Sequence, residues 1–320
     1  MYNAFFGLSK SPFNLTPDPE CVFLTAGHRE ALAGLSYSIL GRRGFLVLTG
    51  DAGTGKTTLL SRVLQRLPAG RVRSSVVLNP TLTAGEFLEM VLLGFGIAEV
   101  PPSKPQRLMK IQQLLYRSEN ENIICALVVD EAQKLSAEIL EEIRLLGNFE
   151  CSDHKLLQIL LLGQDELGDV LNRPEMRQLK QRVANRYALK PLSGNEVSDY
   201  IGYRWRKAGG AATIPFHPAV LALIAQYSKG IPRVINSICD YALLLAFEDG
   251  VHVVESGHIQ EACADLQLLT VNSAPKAVPS ATLAVPPPVA ADIPKSFRGP
   301  APRPSWLARW AGKLGRAAHA

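Results

Sequence analysis

A glycine-rich turn from Gly50 to Thr57 has the residue types needed to hold phosphate groups. Its sequence is GDAGTGKT, with glycine at the first, fourth and sixth positions and Lys56 before the final threonine. Glycines let successive backbone N–H groups point inward as an anion-binding nest, because they have no Cβ to clash. The lysine reaches the β- and γ-phosphates of a nucleotide, and the threonine hydroxyl ligates Mg²⁺. The pattern therefore predicts a site for a nucleoside triphosphate with its magnesium ion.

The residues on either side of this turn predict the strand and the helix that a phosphate-binding loop requires. Residues 45–49 are mostly apolar β-forming types, and residues 58–67 place leucine and valine at helical spacing. A helix that starts after the loop adds free N–H donors and the positive end of its dipole to the anion site. A chance match in a glycine-rich turn is the alternative, and this context argues against it. We expect the nucleotide to contact Gly50, Asp51, Ala52, Gly53, Thr54, Gly55, Lys56, Thr57 and Thr58.

Two adjacent carboxylates, Asp130 and Glu131, follow a second apolar run at residues 123–129. Ligands bind at the carboxyl ends of the strands in open α/β sheets, so this pair is expected beside the phosphate loop. Asp130 is predicted to hold Mg²⁺ through water, and Glu131 to orient and deprotonate an attacking water molecule. A kinase would more often need only the metal-binding aspartate, so the glutamate favours hydrolysis of the nucleotide. The alternative is a solvated acidic pair at the end of a strand.

Two polar residues outside these motifs are predicted to touch the phosphates. Gln164 follows the apolar run 156–162 by two positions, where its amide can reach the γ-phosphate or the attacking water. Arg233 follows Pro232, and proline is tolerated at the start of a helix. A positive charge gains nothing from the dipole in a first helical turn, so we expect Arg233 to bind a phosphate instead. The alternatives are a surface glutamine and an ordinary surface arginine.

A basic stretch at residues 173–186 is predicted to form a helix and to carry an arginine finger. In a ring of subunits, such an arginine is offered to the γ-phosphate that the neighbouring subunit binds. Arg182, close before the last predicted strand of the α/β region, is the first candidate, and Arg186 is the second. The alternative is a solvated charged face, which is the usual meaning of a charge run.

Strands and helices alternate up to residue 192, and only helices are predicted from there to about residue 269. Wholly apolar strands suit a parallel sheet covered on both faces, and this alternation implies βαβ crossovers. The predicted fold is therefore α/β, a P-loop NTPase with a parallel sheet sandwiched by helices, plus an all-helical lid. The predicted domains are an N-terminal arm (1–27), an α/β nucleotide-binding domain (28–192), a helical lid domain (193–270), a disordered Pro/Ala-rich linker (271–305) and a short basic amphipathic tail (306–320).

The C-terminal residues, 271–320, differ in composition from the rest of the chain. Residues 272–305 contain nine prolines and seven alanines, with too few large apolar side chains to offset the entropy of ordering, so a disordered linker is predicted. In residues 306–320, a helix would separate an apolar side from a basic side. That pattern is typical of a small helix that docks on a membrane surface or a partner, and a frayed terminus is the alternative. The apolar side would consist of Trp306, Leu307, Trp310 and Leu314.

Charge and cysteine content narrow the class of protein further. The net charge is +5, but residues 271–320 hold seven of the 34 basic residues and one of the 29 acidic residues. Residues 1–270 therefore carry 27 basic and 28 acidic residues, a net charge of −1, which weakens the case for nucleic-acid binding. The five cysteines show no C-x-x-C spacing, and the N-terminal residues show no secretory signal pattern. We therefore expect a cytoplasmic protein with reduced thiols.

Taken together, these residues resemble the AAA+ superfamily of ATPases over about residues 1–269, and more narrowly the ExeA/GspA-like ATPases of bacterial secretion and surface-assembly systems. The resemblance implies an ATP hydrolase that uses ATP and Mg²⁺, with Walker A at Gly50–Thr57 and Walker B at Asp130–Glu131. It also implies sensor 1 at Gln164, an arginine finger around Arg182 and sensor 2 at Arg233. Besides these motifs it rests on Phe5–Leu8, Pro12–Phe13, Thr16–Pro19, His28–Leu32, Asn79–Pro80, Val129–Gln133, Pro191–Leu192 and Gly230–Arg233.

Typical secretion members of this family continue into a transmembrane helix and a peptidoglycan-binding domain. Neither pattern is found here, so we expect a short form, like relatives that accompany exosortase, exopolysaccharide or pilus genes. The resemblance implies a homo-oligomeric ring and a protein partner at the bacterial inner membrane, and the amphipathic pattern of the tail adds a peripheral membrane contact as an expectation. A DNA-associated ATPase similar to transposition helper proteins is the second hypothesis, which the basic stretch and tail favour and the near-neutral body opposes. A nucleotide-gated scaffold with little turnover is the third, and Glu131 argues against it.

Overall fold

The computed structural model describes residues 2–16, 21–68, 70–78 and 82–268. These residues belong to one compact unit that extends to residue 272. The linker and the tail predicted for residues 271–320 lie outside the described part of the chain. None of the described helices is long and apolar enough to cross a lipid bilayer.

The centre of the structure is a parallel sheet of five strands in the order β2-β3-β4-β1-β5. The three central strands, β3, β4 and β1, are rich in branched apolar residues and almost wholly buried. This arrangement confirms the predicted parallel α/β sheet. The strands are β1 (Phe45–Gly50), β2 (Val72–Val77), β3 (Ile124–Val129), β4 (Leu157–Gly163) and β5 (Val183–Leu189).

The described residues contain twelve α-helices, of which α2 to α8 pack on the sheet and the last four follow it. Several begin where the sequence places a capping residue: Thr83 and Ser193 each form a full capping box with a glutamate three residues later. The helices are α1 (Tyr2–Phe5), α2 (Ala26–Leu40), α3 (Lys56–Arg66), α4 (Ala84–Gly94), α5 (Lys104–Asn120), α6 (Ala137–Leu146), α7 (Glu166–Asn172), α8 (Arg177–Arg182), α9 (Gly194–Lys207), α10 (Pro218–Ser228), α11 (Pro232–Glu248) and α12 (Ser256–Asp265).

Apolar side chains cover the sheet on both faces. Leu46 packs in a buried cluster with residues of α2 and α3, whereas its neighbour Val47 packs in a second cluster with residues of α4 to α8. Successive residues of a strand point to opposite faces, so the two clusters lie on opposite sides of the sheet. The sheet is therefore sandwiched by helices, as predicted.

The N-terminal arm packs against the helices that follow the sheet. A third buried cluster contains Tyr2, Leu8 and Phe13 together with residues of α9 to α12, which we call the lid helices. Phe13 is fully buried, and its ring meets the edge of Phe216 at 6.1 Å between centroids. The arm and the lid helices thus share one hydrophobic core, although more than 170 residues separate them in sequence.

One predicted element is wrong, because residues 173–186 do not form a single helix. A short 3₁₀ turn at Pro174–Met176 is followed by α8, and β5 already begins at Val183. From Val183 onward, exposure alternates with a period of two, and the backbone pairs with β1. This pairing overrides the helical propensity of the basic side chains. Arg186 therefore lies on a strand.

Gly230 holds the junction between α10 and α11 in a conformation that only glycine adopts easily. Its φ is +74°, and a Cβ built on it would lie 2.0 Å from the carbonyl oxygen of Leu192. We expect Gly230→Ala to lower the free energy of unfolding by about 2 kcal/mol or more, because it combines backbone strain with a clash. Urea denaturation measures this loss.

Gly257→Ala is the matched control. Gly257 is exposed near the start of α12, and a Cβ there meets no atom within 4 Å. Its substitution should change stability by no more than about 1 kcal/mol, in the stabilising direction. Equal effects of the two substitutions would contradict this description of the junction.

Candidate active site

Parallel pairing brings the ends of three strands to the same edge of the sheet. Thr49 of β1 is paired with Gly163 of β4, and Val129 of β3 is paired with Leu161 of β4. The residues that follow these strands therefore start from neighbouring positions. They are the phosphate loop, the carboxylate pair and Gln164, which the sequence places at those points.

Lys56 starts α3 directly after the loop, and its ammonium group is held by the loop itself. Its Nζ donates to the carbonyl oxygens of Gly50 (2.7 Å) and Asp51 (3.0 Å). Burial lowers the pKa of Lys56, although nearby carboxylates, chiefly that of Asp130, act in the opposite direction. The attraction between a buried cation and an anionic ligand is stronger than that between a solvated cation and the same ligand. The lysine is thus placed to bind phosphate oxygens above the loop.

Thr57 and Asp130 form the part of the site that suits a magnesium ion. The Thr57 hydroxyl donates to Asp130 Oδ2 at 2.9 Å, and Asp130 Oδ1 accepts from the backbone N–H of Glu131 at 2.9 Å. Mg²⁺ is usually held by one or two such protein oxygens, with phosphates and waters filling the other positions. The described residues contain no cluster of three or more His, Cys, Asp or Glu side chains that could form an all-protein metal site. The donor set therefore fits Mg²⁺ bound together with a nucleotide.

Glu131 has an unusual backbone and an ionised side chain. Its φ is +53°, in the left-handed region that costs energy for a residue with a side chain. Its Oε2 accepts from Gln133 Nε2 at 3.0 Å and pairs with Lys134 Nζ at 3.1 Å. Burial alone would raise the pKa of Glu131, but these partners and a hydrogen bond from the Gln164 side chain outweigh it, so the pKa is lowered. The carboxylate is therefore charged and able to accept a proton.

Gln133 connects the residues predicted to act on the γ-phosphate. While its Nε2 donates to Glu131, its Oε1 accepts from the backbone N–H of Gln164 at 3.1 Å. A Cβ on Gly163 would approach that Oε1 to 2.8 Å, so the glycine leaves room for this bond. The sequence reasoning gave Gln133 no role. In the sequence, Gln133 stands out only because it lies two residues after Glu131, at the end of the run Val129–Gln133.

Arg233 lies beside the phosphate loop through its backbone as well as its side chain. Its N–H donates to the carbonyl oxygen of Gly53 at 3.3 Å, which joins the first turn of α11 to the loop. Gly53 has a φ of +84°, and a Cβ on it would lie 2.7 Å from Arg233 Cβ. Arg233 is exposed and lines the cavity above the loop. The structure thus brings Arg233 to the position where a phosphate contact was predicted.

The two arginine-finger candidates lie elsewhere. Arg182 Nη1 donates to Asn148 Oδ1 (2.6 Å) and to the carbonyl oxygen of Arg144 (3.1 Å), just before β5 begins. Arg186 is exposed on β5, where it pairs with Val47 of β1. The structure brings neither side chain to the phosphate loop of its own chain. Contact with the nucleotide of a neighbouring subunit stays a prediction for both.

A cavity of about 310 Å³ extends from the phosphate loop to the N-terminal arm and the lid helices. The residues that line the cavity on the side away from the loop were not predicted from the sequence. His28 joins the two sides: its Nε2 lies 3.4 Å from the carbonyl oxygen of Thr54, and burial lowers its pKa, which favours a neutral ring. The other walls include Leu15, Phe23, Tyr200, Arg204 and Asn236. These residues are far apart in sequence, so only the aromatic and proline-rich character of the arm hinted at them.

The fold and this site define a class of protein. The sheet has the strand order 2-3-4-1-5, with a phosphate loop between β1 and α3, a carboxylate pair after β3 and lid helices beside them. This combination identifies an AAA+ P-loop ATPase, a class of ATP hydrolases. A family model described as an AAA domain matches residues 39–171. General secretion pathway protein A of Aeromonas hydrophila is 41% identical over 263 residues, 81% of this chain. The chain belongs to the family of AAA+ ATPases related to that protein, and it covers 47% of that relative's length.

Solved structures share the fold at much lower identity. Cdc6p from Pyrobaculum aerophilum matches with a TM-score of 0.63 and 16% identity, covering 81% of this chain and 71% of that one. The ORC2 protein of Aeropyrum pernix matches at 0.61 and 19%, covering 80% and 72%. The RuvB Holliday junction branch migration motor of Thermotoga maritima matches at 0.55 and 15%, covering 79% and 73%. At these identities the likeness concerns the fold alone.

The partners of Glu131 predict how its titration responds to substitution. Lys134→Ala removes a hydrogen bond and a positive charge, so the pKa of Glu131 should rise and its protonation should begin at a higher pH. Carbon-13 NMR titration of the Glu131 carboxyl measures the change. Because both side chains are partly exposed, the difference should shrink as salt is added. Lys180→Ala, which removes an exposed lysine on α8, is the control. An unchanged titration in Lys134→Ala would contradict the pairing.

Proposed function

We propose that this chain binds one ATP with Mg²⁺ in the cavity above the phosphate loop and hydrolyses it, and that the cycle controls its assembly and that of a protein partner. The observation that carries this proposal is the hydrogen bond between Thr57 and Asp130 beside the buried Lys56 ammonium. Those three groups are what a nucleotide bound with magnesium requires. The ORC2 protein of Aeropyrum pernix, which shares the fold, was solved in complexes with ADPNP and ADP, which supports an adenine nucleotide as the ligand.

The reaction would divide among the residues around the loop. The loop N–H groups and Lys56 would bind the phosphates, and Thr57 with Asp130 would hold the Mg²⁺. When bound, the metal neutralises charge that develops on the phosphate oxygens. Glu131 would take the proton of the attacking water, and Gln133 would keep Glu131 and Gln164 in place. Gln164 and Arg233 would contact the γ-phosphate.

The contact between Arg233 and Gly53 supports a link from nucleotide to lid. Arg233 opens α11, and α11 packs in the same core as the other lid helices and the arm. A change in the phosphate loop would therefore reach the lid helices through this backbone hydrogen bond, at a point where the loop and α11 approach so closely that a Cβ on Gly53 would not fit. We infer that ATP binding and release shift the lid helices against the sheet, which would alter the surface offered to other chains.

The partners are proposed from the family. The 41% identity to a general secretion pathway protein supports a partner in a bacterial secretion or surface-assembly system, and a homo-oligomeric ring in which Arg182 or Arg186 completes the neighbour's site. With such a partner we propose a cytoplasmic location, with a peripheral contact to the inner membrane through the tail at residues 306–320. Sedimentation with vesicles, with and without residues 306–320, tests that contact.

A DNA-associated ATPase is the second candidate. The exposed basic side chains around α8 favour it, and the net charge of −1 over residues 1–270 opposes it. Turnover measured with and without duplex DNA separates the two hypotheses. A stimulation by DNA that falls steeply with salt would support the second, because counterion release makes such binding strongly dependent on salt.

Glu131→Gln tests hydrolysis separately from binding. Turnover should fall about 10²-fold or more, because the base that accepts the proton is removed. The affinity for ATP should stay, since the phosphate loop is intact. Release of inorganic phosphate and equilibrium titration with ATP measure the two quantities.

Glu138→Gln is the control, since Glu138 is exposed in the first turn of α6 and should leave both quantities unchanged. Unchanged turnover in Glu131→Gln would reject Glu131 as the base.

Light scattering on Glu131→Gln with ATP tests the proposed ring. A mass that stays at 34.8 kDa would contradict the proposed oligomer.

A further inference from the structure

Arg204 of α9 is a charged side chain in an almost completely buried position. Only 9% of it is exposed, and burying a guanidinium is costly unless its N–H groups find acceptors. Its Nε donates to the carbonyl oxygen of Pro12 at 2.6 Å, and its Nη2 donates to that of Asn14 at 3.2 Å. Its Nη1 lies 3.5 Å from the Tyr200 hydroxyl. The planar fork of the arginine therefore holds two backbone carbonyls of the N-terminal arm at once.

The residue between those two carbonyls is anchored independently. Phe13 is fully buried in the core that the arm shares with the lid helices. Its ring packs edge-on against Phe216. Residues 12–14 are thus fixed to the lid by two separate contacts, one polar through the backbone and one apolar through a side chain.

The stretch that follows this anchor forms a wall of the nucleotide cavity. Asn14, Leu15 and Thr16 line the cavity together with Arg204 and the phosphate loop. Leu15 is 54% exposed although it is apolar, so its side chain is available to a ligand. Farther along the arm, Phe23 lines the same cavity and meets the Tyr200 ring at 5.8 Å. Apolar and aromatic surfaces of this kind suit the flat ring of a base better than they suit phosphate.

We propose that Arg204 is a positioning residue for the nucleoside end of the bound nucleotide. It fastens the N-terminal arm to the lid helices, and the fastened arm forms the cavity wall against which the base and ribose lie. This inference rests on the proposed function, because it assumes that the phosphates occupy the loop. It gives the arm a role in nucleotide affinity and ties that affinity to the position of the lid.

Two ligands separate this role from phosphate binding. A non-hydrolysable ATP analogue needs both ends of the cavity, whereas inorganic tripolyphosphate needs only the loop. Calorimetric titration with each ligand in the presence of Mg²⁺ should show that Arg204→Ala weakens binding of the analogue about tenfold or more, since two charge-assisted hydrogen bonds to the arm are lost. The affinity for tripolyphosphate should not change, and that retained affinity also reports that the loop is folded. Arg206→Ala, an exposed arginine on the same helix, should leave both affinities unchanged.

Two further variants distinguish the arm contact from a simple effect of charge. Arg204→Lys keeps the positive charge but loses the fork that reaches both carbonyls, so it should not restore affinity for the ATP analogue. Phe13→Ala loosens the arm from the apolar side while Arg204 is intact, and it should give the same selective loss.

The possible outcomes are distinct. The proposal is supported if Arg204→Ala and Phe13→Ala both lose affinity for the ATP analogue and keep their affinity for tripolyphosphate. It is overturned if Arg204→Ala binds the analogue as the wild type does, if Arg204→Lys restores that affinity, or if the affinities for both ligands fall equally. If the wild-type chain binds neither ligand, the proposed function itself is wrong, which is a different result from any of these.

Discussion

The parallel pairing of β1, β3 and β4 is the constraint on which the rest of the structure depends. It brings the ends of these strands to one edge of the sheet, so that the phosphate loop, Asp130 with Glu131, and Gln164 become neighbours. Each strand is buried on both faces, which leaves little freedom to shift the register. The positions of the site residues are therefore fixed by the packing of the core, and hydrogen bonds such as that from Thr57 to Asp130 complete the site.

The lid helices are joined to the phosphate loop at one place and to the N-terminal arm at another. The start of α11 is bonded to the loop through Arg233 and Gly53, and the N-terminal arm is held by Arg204 and Phe13. A ligand that filled the cavity would contact residues of the phosphate loop, the arm and the lid helices at once. Its binding energy would therefore shift the balance between arrangements of these parts, if it differs between them.

Much of this could be predicted from local sequence, and the remainder depended on tertiary contacts. The phosphate loop, the apolar strands and the capping boxes are short-range patterns, so their elements were predicted to within a few residues. The last strand was predicted, but its first residues, 183–186, were assigned to the helix before it, because their pairing with β1 is a tertiary contact. The far wall of the cavity could not be predicted, since residues as distant in sequence as Leu15 and Tyr200 line one cavity only in the folded chain. Gln133 had a position in a motif but no local pattern that indicated its two hydrogen bonds.

The most direct test of the central claim is equilibrium binding of ATP with Mg²⁺ to the wild-type chain and to Lys56→Ala. We predict saturable binding of one ATP per chain, and this binding should require Mg²⁺. In Lys56→Ala the affinity should fall about 10²-fold or more, because the buried ammonium that would contact charged phosphate oxygens is removed. Undiminished affinity in Lys56→Ala, or no saturable binding by the wild type, would contradict it.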